Sequence, residues 1–266
     1  MKFVRACLGE MKKQRRNYFN SYSTYISLLV WPLLTVICTY YKYSNFSIKL
    51  LNRINIYTKE DLLVFLTTGY LCYNLFWVMV QSALFMKKER ENGTLETIFL
   101  SPASRIAVVY GRSMGALFQS IWLLIIYCVM LIVIYKGTII HILLELPLIY
   151  LCIIFSAIIF GGFINTIFIV SRDTDFWFSL CDEPMKLLTG VELPISIMPL
   201  LFRCIAYIFP LTYCLEIVRG LIGKGEVEGT MLFRYAMVNG IFLIMTKIIM
   251  TMAEKYNRKT GNLQLY

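Results

Sequence analysis

Apolar positions in this chain come in long unbroken runs, and polar ones gather between them. Four runs hold no charged residue: Asn17 to Tyr41, Leu62 to Met86, Ser113 to Tyr135 and Leu146 to Ser171. Each exceeds the roughly 20 residues that a helix needs to cross about 30 Å of hydrocarbon. Two further stretches are apolar around scattered charges. Residues 174–190 include Asp175, Asp182, Glu183 and Lys186, and residues 231–252 include Arg234 and Lys247 towards the ends, where long basic side chains reach back to the headgroups. The pattern predicts an all-α polytopic membrane protein, one transmembrane domain over 1–266. Its six transmembrane helices fall at 17–41, 62–86, 106–135, 146–171, 174–190 and 231–252, with both termini on one side.

Two segments outside the spans also have a readable pattern. In residues 1–16, Phe3, Cys7, Leu8 and Met11 recur at helical spacing opposite six bases, which predicts an amphipathic interfacial helix on the inner membrane surface; a disordered basic leader is the alternative. Residues 191–225 are moderately apolar but punctuated by Pro194, Pro199, Pro210 and Gly220, and they carry Glu192, Arg203, Glu216 and Arg219. Prolines interrupt a continuous helix, and each central charge facing lipid costs about 2.5 to 3.5 kcal/mol on insertion scales. Short outer re-entrant helices packed against protein meet both constraints. Within the first span, Pro32 predicts a kink.

Composition agrees: 58% of the 266 residues are hydrophobic and 16% charged, more apolar surface than a soluble interior could hide. The net charge of +10 does not mark a nucleic-acid binder, because the bases sit beside membrane segments. Bases crowd the first 16 residues, the tail (Lys255, Arg258, Lys259) and the 87–105 segment, which places all three in the cytoplasm of a multi-pass cell-membrane protein. The 42–60 loop, with Lys42, Lys49, Arg53 and Lys59, dissents and is outvoted. The first apolar run is too long for a cleavable leader and reads as a permanent span. Eight cysteines include no CxxC pair and read as small hydrophobes; only Cys204 and Cys214 could bridge, if their segment lies outside the cell. His141 stands alone, so no metal site is expected. No phosphate loop is present either: Gly220 to Gly225 lacks its spacing and its hydroxyl after lysine. The chain is therefore not expected to hydrolyse ATP or to carry a cofactor.

The polar segment KKERENGTLETIFLSPASR, residues 87–105, interrupts the second and third spans. Gly93 stops the helix leaving the second span, Thr94 is placed as an N-cap, and Leu95, Ile98, Phe99 and Leu100 form a short apolar turn at the tip of a hairpin. Ser101 and Pro102 restart a helix, the hydroxyl as cap and proline at its first position. A short helix held crosswise by two long ones suits a groove in another protein; a helix resting on lipid is the alternative.

Glu89-Arg90-Glu91-Asn92-Gly93-Thr94-Leu95-Glu96, followed by Ser101-Pro102-Ala103-Ser104-Arg105, resembles the coupling hairpin of type-2 ABC exporter permeases, E-R-x-x-G-T-L-E before S-P-x-S-R. Downstream, Leu187-Leu188-Thr189-Gly190-Val191-Glu192-Leu193-Pro194, then Pro199, resembles that family's L-L-S-G-x-x-F-P element. Pro210-Leu211-Thr212-Tyr213-Cys214-Leu215-Glu216 with Arg219 resembles its P-L-T-Y-x-x-E-x-x-R element. Thr189 and Leu193 are mild departures. The resemblance implies six membrane helices, an interfacial helix, a cytoplasmic coupling helix and outer re-entrant helices carrying Gly190, Pro194, Pro199, Pro210, Thr212, Tyr213, Glu216 and Arg219. It implies a permease subunit paired with a second copy or a paralogue, on two copies of a nucleotide-binding ATPase that holds the ATP and Mg. Glu89, Arg90, Glu91, Gly93, Thr94, Leu95, Glu96, Phe99, Ser101, Pro102 and Arg105 then couple the two, so that ATPase closure tilts the second and third spans.

Asp182-Glu183-Pro184 departs from the family in placing an ionisable pair near the middle of the fifth span. Two readings stay open: Asp182, Glu183 and Lys186 line a path for a cationic amphiphile, or the acids pair locally with Lys186 in a helix kinked at Pro184. The function expected is ATP-driven export of an amphiphilic substrate (drug, antimicrobial peptide or lipid-like molecule) from the cytoplasm or inner leaflet. The alternatives are a non-transporting membrane sensor or immunity protein that binds a peptide, and polysaccharide export. A lipid-modifying enzyme built on Asp173, Asp175, Asp182 and Glu183 lacks a completing histidine or polar motif.

Overall fold

The structure, a computed structural model, describes residues 2–18, 21–44, 58–95, 97, 104–134, 139–171, 173–224 and 227–260, and every regular element among them is helical. Helices α1 (Lys2–Tyr18), α2 (Tyr22–Ser44) and α3 (Lys59–Val80) come first. A 3-10 turn at Gln81–Ala83 joins α3 to α4 (Leu84–Glu91). After the hairpin come α5 (Arg105–Met114), α6 (Leu117–Ile134), α7 (Ile139–Val170) and α8 (Thr174–Leu188). The chain then runs through α9 (Leu200–Ala206), α10 (Pro210–Lys224) and α11 (Gly229–Thr260).

Helices α3 and α7 form the centre, packed along each other, with α6 and α10 against α3 and α11 and α10 against α7. Their inward residues make one core in which Phe160 of α7 meets Phe76 of α3 and Phe242 of α11, ring centroids 5.7 and 5.1 Å apart. A capping box opens α3: Asp61 N donates to Thr58 Oγ1 and Thr58 N to Asp61 Oδ2, so two otherwise orphaned amides are satisfied. Helices α2 and α11 instead turn large apolar residues outward, among them Ile26, Val30, Trp31, Phe233 and Ile244. In water such a surface would be costly, and in hydrocarbon it is not.

Among the described residues, five helical stretches are long and apolar enough to cross a membrane: Tyr22–Tyr43, Lys59–Glu91, Arg105–Val133, Glu145–Val170 and Gly229–Lys255. A sixth arises if α9 and α10, which meet at a 92° bend, count as one. The stretch expected as the fifth span is α8, whose 15 residues make a helix of about 22 Å. It ends where Gly190 takes a positive φ of 100°, a conformation that glycine enters without a Cβ penalty.

Helix α1 differs from its expected single apolar face. Phe3 and Leu8 are exposed, but Cys7 is buried with Glu10 and Gln14 against α5. The approach is close because α5 offers Gly111, where a Cβ would lie 2.7 Å from the Cys7 carbonyl oxygen. Cys204 and Cys214 are both free: Cys204 is exposed, whereas α10 carries Cys214 into the core. The expectations resting on residues 45–57, on Arg172 and on the His141 side chain lie outside the described residues.

Candidate functional site

The hairpin leaves the membrane helices through two adjacent residues that serve different neighbours. Glu89, 2% exposed, accepts from Arg112 Nη2 of α5 and from Lys13 Nζ of α1 at 2.6 Å. Arg112 is wholly buried and reaches Glu10 Oε1 at 3.2 Å, while Gln14 Nε2 donates to Glu10 at 2.7 Å and to Glu89 at 3.3 Å. Two buried acids thus face one buried and one partly exposed base, and both carboxylates are supplied with donors; of the Arg112 guanidinium only Nη2 is engaged, with Nε and Nη1 unpartnered among the described residues. Arg90 turns the other way. Its guanidinium donates to the carbonyls of Phe168, Ile169 and Ser171, with Nη1 2.8 Å from Ser171 O. These oxygens close the C-terminal end of α7, where a helix has carbonyls without intrahelical donors and a negative dipole end.

Beyond this root the next four residues are open. Glu91, Asn92, Gly93 and Thr94 are exposed, Gly93 has a φ of 66°, and Leu95 folds back into the core. Thr94, expected as an N-cap, donates its hydroxyl to Glu89 O at 3.1 Å. At the start of α5, where the hairpin returns, Arg105 Nη1 lies 3.0 Å from Glu254 Oε1 of α11. Glu96, Phe99, Ser101 and Pro102 lie outside the described residues. The sequence did not point to Glu10, Lys13, Gln14 or Arg112; the signals were a single acid among the bases of α1 and an arginine inside an apolar stretch.

At the opposite end of the helices, the segment after α8 is docked by one carboxylate. Glu192 Oε1 accepts from Tyr70 OH of α3 at 2.8 Å, and Oε2 accepts from Tyr43 OH at 3.1 Å and Lys42 Nζ at 3.3 Å, both on α2. Burial works to raise the Glu192 carboxyl, but the Tyr70 hydroxyl and Lys42 outweigh it, so its pKa lies below the ordinary value. Gly69 makes the docking possible: a Cβ there would be 2.4 Å from Val191 O. The other motif residues hold the bend. Pro194 flanks the Ile195–Ile197 turn, Pro199 flanks α9, and Pro210 starts α10. Thr212 Oγ1 donates to Ala206 O at 2.5 Å and Tyr213 OH to Tyr207 O at 3.0 Å, which ties α10 back to α9. Arg219 lies over the Phe65 ring at 3.8 Å, and Glu216 sits within electrostatic reach of Tyr207 and Arg234.

Between these ends lies a cavity of about 430 Å³. The backbone of α8 stands off α3, and long side chains bridge the gap. Tyr73 OH donates to Asp182 Oδ1, the Trp77 and Phe178 rings are 4.8 Å apart, and Lys87 pairs with Asp175 nearer the hairpin. Asp182, Glu183 and Lys186 all line the cavity, with Trp31 of α2 and Tyr73 and Trp77 of α3. Among the described residues no direct ion pair joins Lys186 to either acid; Lys186 acts on Asp182 through space, and Asp182 takes its hydrogen bond from Tyr73 of α3. No metal-ligating cluster occurs among the described residues.

No curated protein and no solved structure matches the chain. The ABC-2 type transporter family matches residues 5–222, a stretch that holds the hairpin, the docked outer segment and the cavity, and to this family the chain belongs.

Proposed function

We propose that the chain is the permease subunit of an ATP-driven exporter, and that the hairpin at 87–105 is where a separate ATPase engages it. Membership of the family makes the chain a membrane transport component rather than a catalyst, and permeases of this kind generally work with ATP-binding subunits. One observation carries the finer reading. Glu89, Arg90 and Arg105 tie the hairpin to α1, α5, α7 and α11, while Glu91 to Thr94 project unburied. A lever needs that combination: a stiff root sunk in the part to be moved, and a free end to be held.

In this reading two ATPase copies, binding ATP and Mg, grip the hairpins of two permease chains, identical or paralogous. Nucleotide-driven closure tilts α3 with α4 and α5 with α6, and the path between chains opens outward to an amphiphilic substrate. The termini and hairpin are cytoplasmic, α1 lies on the inner surface of the plasma membrane, and α9 and α10 re-enter from outside. The bend, its Thr212 and Tyr213 tethers and the docked Glu192 support the last point, since a sharp turn at membrane depth survives only where protein satisfies its backbone.

Purification from the native membrane in mild detergent tests this. The chain should bring down an ATPase of phosphate-loop type, and the charge-reversal variant Glu91→Lys with Glu96→Lys should lose it while still inserting and melting normally. A chain that brings down no ATPase, or a variant that retains it in full, would sink the coupling role.

A further inference from the structure

We infer that the cavity between α2, α3 and α8 is a binding site for a lipophilic organic cation, an ammonium, phosphonium or amidinium carried on an aromatic or branched apolar body. The inference deepens the exporter reading by naming the substrate class, and it rests on that reading only for the direction of movement.

The volume comes first. About 430 Å³ falls within the range of pockets that enclose drug-sized molecules, and it is too small for a folded peptide. Sign comes second. Two carboxylates and one ammonium line the space, so the cavity is net anionic where low dielectric magnifies charge. The acids are also available. Tyr73 occupies only Oδ1 of Asp182, and among the described residues neither Asp182 Oδ2 nor the Glu183 carboxylate receives a hydrogen bond or ion pair. That single bond from Tyr73 fixes the plane of Asp182 and leaves its second oxygen for a donor. Asn74, also in the lining, donates one of its two Nδ2 hydrogens to Tyr127 OH and adds no charge of either sign.

The wall is the third observation. Tyr73 and Trp77 stack with ring planes 7° apart, and Trp31 stands across from them on α2, two-thirds exposed. Aromatic faces carry the negative end of the ring quadrupole, so they favour a cation while giving an apolar body something to pack on. An anion of equal shape would meet carboxylates and ring faces together. Lys186 is the resident counter-charge, three and four residues from the acids on α8, and an incoming cation takes over its role of balancing them.

Tetraphenylphosphonium and tetraphenylborate have nearly the same shape and opposite charge. Equilibrium binding of each should be measured to the purified permease alone, in nanodiscs of zwitterionic lipid, so that no ATPase enters the result. The cation should bind saturably and at least about tenfold more tightly than the borate. Glu183→Gln, which removes no contact within the protein, should weaken the cation about tenfold and leave the thermal midpoint unchanged. Trp31→Ala should weaken both ions, and Lys186→Met should tighten the cation. Equal binding of the two ions, or a Glu183→Gln variant that holds the cation as well as the parent does, overturns the assignment. Selective cation binding that never stimulates a co-purified ATPase would leave the site standing and defeat the exporter reading; coupled ATPase activity without cation binding would do the reverse.

Discussion

Arg112 is the buried charge that joins Glu10 of α1 to Glu89 of α4. Among the described residues its guanidinium is the only wholly buried cation that bonds both Glu89 and Glu10, so Arg112→Leu leaves two buried carboxylates with the Gln14 amide and one partly exposed ammonium, Lys13, between them. Truncating one side of such a pair costs about 3 to 5 kcal/mol, whereas removing both sides together can be nearly neutral. In thermal melts in detergent, Arg112→Leu should therefore unfold well below the parent, and the triple variant with Glu10→Gln and Glu89→Gln should recover part of the loss. No recovery would mean that the cluster is held by packing rather than by charge. Gly69 gives a steric counterpart. Gly69→Ala drives a Cβ into the backbone oxygen of Val191, which cannot rotate aside, while Gly240→Ala meets nothing within 4 Å. The first should lower the melting temperature through about 1 to 3 kcal/mol of overpacking, and the second should hold or raise it through helix propensity.

At the scale of elements, the docking of the segment after α8 depends on pH through Glu192. Because its folded pKa is depressed, the stabilisation is complete above the ordinary carboxylate range and disappears as pH falls through the lowered value. Melting curves taken from neutral to acidic pH should show an acid limb that Glu192→Gln flattens; an unchanged limb would assign the acid sensitivity elsewhere. The elements differ in how far the sequence announced them. Long helices were legible because charge-free runs have one physical explanation, and the hairpin was legible because its polar residues lie side by side. The anchors were not, since Arg112 meets Glu10 across 102 positions and Asp182 meets Tyr73 across 109, distances over which periodicity carries no information. Local reasoning offers Lys186 as a partner of Asp182, and the structure adds a hydrogen bond from Tyr73 that no local pattern signals. Helix α8 runs from Thr174 to Leu188 and stops short of Gly190, and the chain after it is docked through Glu192 on residues of α2 and α3.

For the whole molecule, orientation is the property that every functional reading shares. A variant retaining Cys204 alone, exposed on α9, should react in intact cells with a membrane-impermeant maleimide. A cysteine-free background carrying Lys12→Cys on α1 should react only after permeabilisation. Reversal of the two would turn the protein over and take the proposed cytoplasmic placement of the hairpin with it.

Glu89 and Arg90 follow one another in sequence, so about 100° separates their directions around α4. Glu89 is fastened to α1 and α5, and Arg90 to the end of α7. A rod fastened on one side can still roll or swivel about that point; fastened on two, it has lost both freedoms and can move only with everything it is fastened to. A push on the tip therefore cannot be dissipated as rotation of the hairpin. It arrives as a single displacement shared by four helices.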